Sequence, residues 1–150
     1  MENKTLATNR KAHFEYEISE RWEAGIVLTG TEVKALRDGR VTLQDGWVEV
    51  TDNLEAFLRQ VNISHYAFGN IHNHEPQRAR KLLLNKKELK EMHEYTRAKG
   101  YTIVPLSIYL KGQHIKVQIG LARGKKLHDK RETTKEREAN RDMERALKKR

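Results

Sequence analysis

The chain of 150 residues contains no cysteine. That excludes disulfides, iron–sulfur clusters, thiolate zinc sites and cysteine nucleophiles together. It has no apolar run approaching the roughly 20 residues needed to span a bilayer, and its first residues lack the apolar stretch of a secretory signal. A cytoplasmic protein without a membrane segment is expected. Neither a phosphate-cradling GxxxxGK[ST] loop nor a strand–serine–helix nucleophile elbow occurs, so no enzyme, cofactor or metal is expected. His72-Asn73-His74 would need two further ligands to hold a metal. His128 beside Asp129 lies in a segment with no pocket to fix acid–base geometry. Of the two prolines, Pro105 lies near the start of a strand pattern and marks an edge or a bulge, because it cannot donate to a ladder.

What the chain has in excess is positive charge: 30 Lys and Arg against 21 Asp and Glu, a net +9. Residues 122–150 carry 12 Lys or Arg and 6 Asp or Glu, so this short segment holds most of the excess. A polyanionic partner, first of all nucleic acid, is implied by that imbalance.

The length suits one domain. Met1 to Ala12 is polar and basic and reads as a loosely held arm, followed by a strand through Phe14, Tyr16 and Ile18. The organising stretch is WEAGIVLTGTEVKALRDG, Trp22 to Gly39. Trp22, Ala24, Ile26 and Leu28 alternate onto one strand face, with Glu23 and Gly25 on the other. A turn at Thr29-Gly30 leads to a helix with Thr31 as candidate N-cap, Glu32 in its first turn and Gly39 as its stop. Val33 and Leu36 face the core, while Lys34, Arg37 and Arg40 project outward with Glu23.

Trp47–Val50 and Glu55–Ile63 read as strands around a Thr51-Asp52-Asn53 turn. Ser64 to Arg80 is long and irregular and contains Tyr66 and Phe68, candidates for base stacking or for the core. Lys81–Leu84 reads as a short buried strand. Asn85 then opens a helix as N-cap, with Glu88 completing a capping box and Leu84 and Leu89 a hydrophobic staple; Gly100 ends it. A hairpin turning at Gly112 comes next, with Ser107, Tyr109 and Lys111 on its wet face. These elements predict a mainly β fold with two to three helices. A small antiparallel barrel of the oligonucleotide-binding type is expected over residues 1–121, with a plain mixed sheet as the alternative.

Residues 122–150 have too few large apolar residues to bury a core, so a basic C-terminal tail, disordered when free, is expected. On a helix, Arg137, Arg141 and Arg145 would stack beside a thin stripe of Ala139, Met143 and Leu147. Within the body, Glu23 is either a surface carboxylate paired across strands or an acceptor for a base amino group or 2′-hydroxyl. Asn85 is a cap or a contact, and Arg78, Arg80 and Lys81 are candidate phosphate ligands.

Taken in order, Asn9-Arg10-Lys11-Ala12, Glu23-Ala24-Gly25, Gly30-Thr31-Glu32-Val33-Lys34, Arg78-x-Arg80-Lys81-Leu82-Leu83-Leu84-Asn85, Gly100-x-Thr102-x-Val104-Pro105-Leu106 and Gly124-Lys125-Lys126-x-His128-Asp129-Lys130-Arg131 resemble the SmpB family, the tmRNA-binding proteins of bacterial trans-translation. The resemblance implies a non-catalytic adaptor that grips the tRNA-like domain of tmRNA. It matches Asn9, Glu23, Leu83 and Asn85 to positions linked to RNA binding. It also implies a tail that becomes helical in the decoding centre and empty mRNA channel of a stalled ribosome, with Gly124, Lys125, Lys126, His128, Asp129, Lys130 and Arg131 at that contact. The resemblance further implies that EF-Tu carrying GTP joins through alanine-charged tmRNA, and a monomer is expected. The family's usual histidine two residues before Tyr16 is replaced here by Phe14, with His13 one place earlier. A structural ribosomal protein is the alternative function, and a small RNA nuclease or modification enzyme using Glu23 or the histidines a more distant one.

Overall fold

An eleven-residue strand, β2 (Tyr16–Ile26), forms the spine of the molecule. The computed structural model describes residues 3–66 and 73–124. β2 runs antiparallel to β9 (His114–Gly124), with Glu23 opposite Gln118, and its end at Gly25 and Ile26 pairs with β7 (Arg80–Leu83). Strands β1 (Asn3–Thr8), β4 (Trp47–Val50), β5 (Ala56–Arg59) and β8 (Tyr101–Lys111) complete a seven-stranded antiparallel sheet in the order β1-β8-β9-β2-β7-β5-β4. A separate pair joins β3 (Val41–Thr42) to β6 (Asn62–Ile63). The sheet curls until β4 packs against β8. Among the described residues no ladder joins the two edge strands, so the mainly antiparallel fold expected from the sequence is a strongly curved sheet that stays open between β1 and β4.

The inner face obeys the alternation that the sequence carries. Trp22 and Ala24 of β2, Leu58 of β5, Leu82 of β7, Ile108 of β8 and Val117 and Ile119 of β9 meet there, all buried. Two helices cover them. Helix α2 (Gly30–Arg37) inserts Ala35 and Leu36, and full burial of a side chain the size of Leu36 is worth about 1.5–3 kcal/mol. Helix α3 (Lys86–Arg97) inserts Met92 and rests on β8 and β4. The Trp22 ring meets Tyr95 of α3 at 6.2 Å and donates its indole N–H to Glu91.

Three bulges change which side of the sheet is covered. Ladder shifts fall between Thr5 and Ala7, between Ile18 and Glu20, and between Pro105 and Ser107. Each adds a residue to one strand and reverses the sidedness of the strand beyond it. Leu106, Ile18 and Tyr16 therefore gather on the outer face with Val104 and Ala122. A short helix, α1 (Arg10–Glu15), closes over them with Ala12. Gly120 lies beneath, where an added Cβ would come within 2.8 Å of both Ile18 and Leu106. Pro105 is accommodated by a bulge inside a central strand rather than at an edge.

Several sequence expectations are corrected. From Asn3 onward the N-terminal arm is a strand paired with β8, succeeded by α1 where a strand through Phe14 was expected. Thr29, not Thr31, caps α2, and its capping box with Glu32 is complete. The strand expected over Glu55–Ile63 breaks at Gln60, whose φ of +58° turns the chain toward β3. β7 is buried on one face only, with Lys81 and Leu83 exposed. β9 continues to Gly124, three residues beyond the expected end of the body at Leu121. Asn85 does cap α3 through a capping box with Glu88.

Candidate RNA-binding face

The outer face of β8, β9 and β2 is divided by the bulges into an end covered by α1 and an open polar end. Glu23 stands in the open part. Tyr109 of β8 reaches across β9 to donate its phenol hydrogen to Glu23 Oε2, and Lys111 Nζ lies 3.1 and 3.4 Å from the two carboxylate oxygens. Arg21 donates to Gln118 beside them. The Tyr109 hydrogen bond, then that of Lys111, holds the Glu23 carboxyl below its ordinary range. Lys116 adds a smaller attraction to the ionised form.

A cleft of about 290 Å³ adjoins this group, lined by Gly25, Val33, Arg37, Leu83, His114 and Lys116 among others. Leu83 is 53% exposed, the most exposed of the large apolar side chains among the described residues. Gly25 faces it in register, and a Cβ added at Gly25 would lie 3.4 Å from that of Leu83. The missing side chain keeps the floor of the cleft low. Apolar surface framed by Arg37, His114 and Lys116, next to an ionised acceptor, can take up an unstacked base and its phosphate.

The expected site residues divide into three groups. Glu23, Lys81 and Leu83 share the outer side of β2 and β7, and Asn85 comes two residues later. Asn85 Oδ1 accepts the Glu88 amide while the residue stays exposed. Lys81 is half exposed and paired with Glu55 at 3.1 Å.

Arg80 and Asn9 lie elsewhere. Arg80, expected at a phosphate, is fully buried: its guanidinium binds Glu32 at 2.7 Å and donates to the carbonyls of Val61, Glu75 and Pro76. Burial exceeds what an Arg tolerates unpaired, so the ion pair fixes it inside. Arg78, a third exposed, also grips Glu32, at 2.7 and 3.1 Å. Asn9 is 3% exposed; its amide donates to the Leu43 and Pro105 carbonyls, and its oxygen accepts the Ala12 amide. Both Arg80 and Asn9 have their side-chain polar atoms bonded within the body.

Gly124 ends the described body, exposed and opposite Tyr16. Lys125, Lys126, His128, Asp129, Lys130 and Arg131 lie outside the described residues, as do Phe68 and His72. Tyr66 lies under Lys34, whose ammonium is 5.5 Å from the ring centre. His74 is buried, with one ring nitrogen on Thr31 and the other on the Ile63 carbonyl, so it serves the fold. Tyr109, Lys116 and His114 were not singled out by the sequence. The hairpin alternation puts Tyr109 on the wet face, but only the strand register brings it, with Lys116 and His114 of β9, beside Glu23 and Leu83.

Comparison with known proteins covers almost the whole chain. The family model described as SmpB protein matches residues 6–149. The SsrA-binding protein of Geobacillus kaustophilus (strain HTA426) is 50% identical over 149 residues, spanning 99% of this chain and 96% of that protein. That of Acaryochloris marina (strain MBIC 11017) is 54% identical over 146 residues, spanning 97% and 94%. A solved structure described as "tmRNA-SmpB: a journey to the center of the bacterial ribosome" superposes with a TM-score of 0.70 at 43% identity, covering 84% of this chain and 92% of that one.

Proposed function

The chain belongs to the SmpB protein family, and from that membership we propose that it is an RNA-binding adaptor that takes tmRNA to stalled ribosomes for trans-translation. The observation that carries this reading is the unbroken family match from residue 6 to residue 149, which includes both the folded body and the basic tail. The body supplies a face on which an ionised acceptor, an apolar cleft and several cations adjoin. That mixture suits a folded RNA with exposed bases better than a uniform duplex.

In this reading Glu23 accepts from a base amino group or 2′-hydroxyl of the tRNA-like domain. Leu83 packs on a base, Asn85 uses the polar capacity left over from capping, and Lys81 with Arg37 and Lys116 meets phosphates. Gly124, Lys125, Lys126, His128, Asp129, Lys130 and Arg131 begin the tail that enters the decoding centre and the empty mRNA channel. Because 12 of the 30 basic residues lie from 122 onward, rRNA would be its natural counterion. EF-Tu with GTP joins through the alanine-charged RNA, and the protein acts as a cytoplasmic monomer without catalysing a reaction. No described helix is long and apolar enough to cross a membrane.

Purification from its own cells at roughly physiological salt, with sequencing of the RNA retained, tests the adaptor. One dominant tRNA-like species is expected. A broad mixture of ribosomal fragments would transfer the assignment to a ribosomal protein, since charge-driven contacts weaken steeply as salt rises. Removal of the tail separates the two halves of the reading. The cut belongs after Gly124, because ending at Leu121 would remove the residues that pair with Tyr16, Glu17 and Ile18. The shortened chain is expected to keep tmRNA binding and to lose ribosome rescue; loss of both would refute the division of labour.

A further inference from the structure

The open face holds a carboxylate whose orientation is set before any ligand arrives. Glu23 and Tyr109 are not on neighbouring strands: β9 lies between them. Tyr109 pairs in register with Lys116, and Glu23 with Gln118, so the phenol crosses β9 diagonally to reach the carboxylate. Strands are roughly 4.8 Å apart, and only a long side chain bridges two such spacings. Lys111, two residues along the same face of β8, closes on the carboxylate from the same side. We infer that Tyr109, assisted by Lys111, is a positioning residue for RNA recognition, holding Glu23 as a fixed, ionised acceptor beside the Leu83 cleft.

The acceptor count supports this assignment. An ionised carboxylate offers roughly four lone-pair directions. Tyr109 takes one on Oε2 and Lys111 reaches both oxygens, which leaves capacity for an incoming N–H or O–H. A glutamate on a bare surface would have to give up its rotamer freedom when RNA binds. Here that ordering precedes binding, which is how a preorganised site gains affinity without a new contact. The cations answer a second difficulty, since an isolated carboxylate would repel phosphates. Lys111 and Lys116 offset its charge, and Arg21 stands beside it on β2 through Gln118. Burial, then the bond to Glu23, pushes the Tyr109 phenol well above its usual range, so it remains a donor throughout the working pH range.

The inference rests on the adaptor reading, and four proteins test it: wild type, Tyr109→Phe, Glu23→Gln and the double variant, each binding a transcript of the tRNA-like domain of tmRNA. Hydrogen bonds to charged groups carry enough energy that each single change is expected to weaken binding about tenfold. The double variant should bind no more weakly than Glu23→Gln, because the phenol acts through the carboxylate. In the free protein, the Glu23 carboxyl titration recorded by ¹³C NMR should move to higher pH in Tyr109→Phe, with only the small fall in thermal midpoint that linkage to an exposed carboxylate allows. Additive losses would overturn the inference by placing Tyr109 in direct contact with RNA, and an unaltered Glu23 titration would overturn it equally. If wild type is selective but Glu23→Gln binds as tightly, the adaptor reading stands and the positioning role falls. If wild type binds an unrelated RNA of equal length just as well, the adaptor reading falls with it.

Discussion

Two glutamates in this molecule are each held by partners far along the chain, and each has its carboxyl held below the ordinary range, yet one is saturated and the other is not. Glu32 is fully buried; its oxygens take one bond from the Thr29 amide, two from Arg78 and one from Arg80. Four bonds exhaust what a carboxylate can accept. Glu23 has 38% of its side chain exposed, and its partners Tyr109 and Lys111 leave it unsaturated. Saturation separates a structural carboxylate from one able to read a ligand. Sequence neighbourhood does not, since both lie in the same short stretch beside basic residues.

Breaking the buried member should have the largest effect. In Glu32→Gln the Arg80 guanidinium stays inside without a counter-charge, and stripping one partner from a buried pair costs about 3–5 kcal/mol. Urea unfolding should register that loss near neutral pH. The pH dependence has a definite sign. Burial raises the Glu32 carboxyl, but Arg78, Thr29 and Arg80 together outweigh it, so the folded value lies below the unfolded one. Its contribution is therefore present above the unfolded carboxylate range, near pH 4.3, and is lost as pH falls through the lower folded value. The gap between wild type and Glu32→Gln should narrow on acidification across that window; a constant gap would mean that the charge contributes nothing.

Asn9 extends the contrast to a residue that the family resemblance links to RNA and the structure places inside. Asn9→Ala removes a helix cap worth about 1 kcal/mol and strands the Leu43 and Pro105 carbonyls, for a total of about 2–3 kcal/mol. Faster amide exchange at Ala12, whose N–H the Asn9 side chain accepts, should accompany the loss. Unchanged exchange would return Asn9 to the surface as a direct contact.

The same distinction marks what could be read from the sequence. Trp22 and Ala24 against Glu23 and Gly25, the Asn85 to Glu88 capping box and the hairpin at Gly112 are local patterns, and local patterns are visible in sequence. α1 was missed because its cap is anchored by carbonyls 34 and 96 residues away. From the sequence Arg80 reads as a phosphate ligand, because neither its burial nor its partner, 48 residues off, leaves a trace in the surrounding pattern. The three bulges, which decide which half of the outer face stays open, add single residues to otherwise ordinary alternation. The family resemblance points to Glu23 and Leu83 but not to Tyr109, whose contact with Glu23 depends on strand register.

The smallest expected effect on stability is also the most informative. Glu23→Gln removes a charge from an exposed pair with Lys111 and alters one hydrogen bond, and such surface changes usually stay within about 0.5 kcal/mol. Its urea midpoint should therefore be nearly that of wild type, while its affinity for the tRNA-like domain falls. Glu32→Gln should reverse the order, with a large loss of stability and, in the fraction still folded, an intact Glu23, Tyr109 and Lys111 group. Charge alone cannot produce that reversal, because removing either carboxylate raises the net charge by one and, on a bulk-attraction account, would strengthen RNA binding equally. A Glu23→Gln protein that bound RNA more tightly than wild type would favour bulk attraction and count against a reading carboxylate. Weaker binding at full stability would require that Glu23 acts through its geometry.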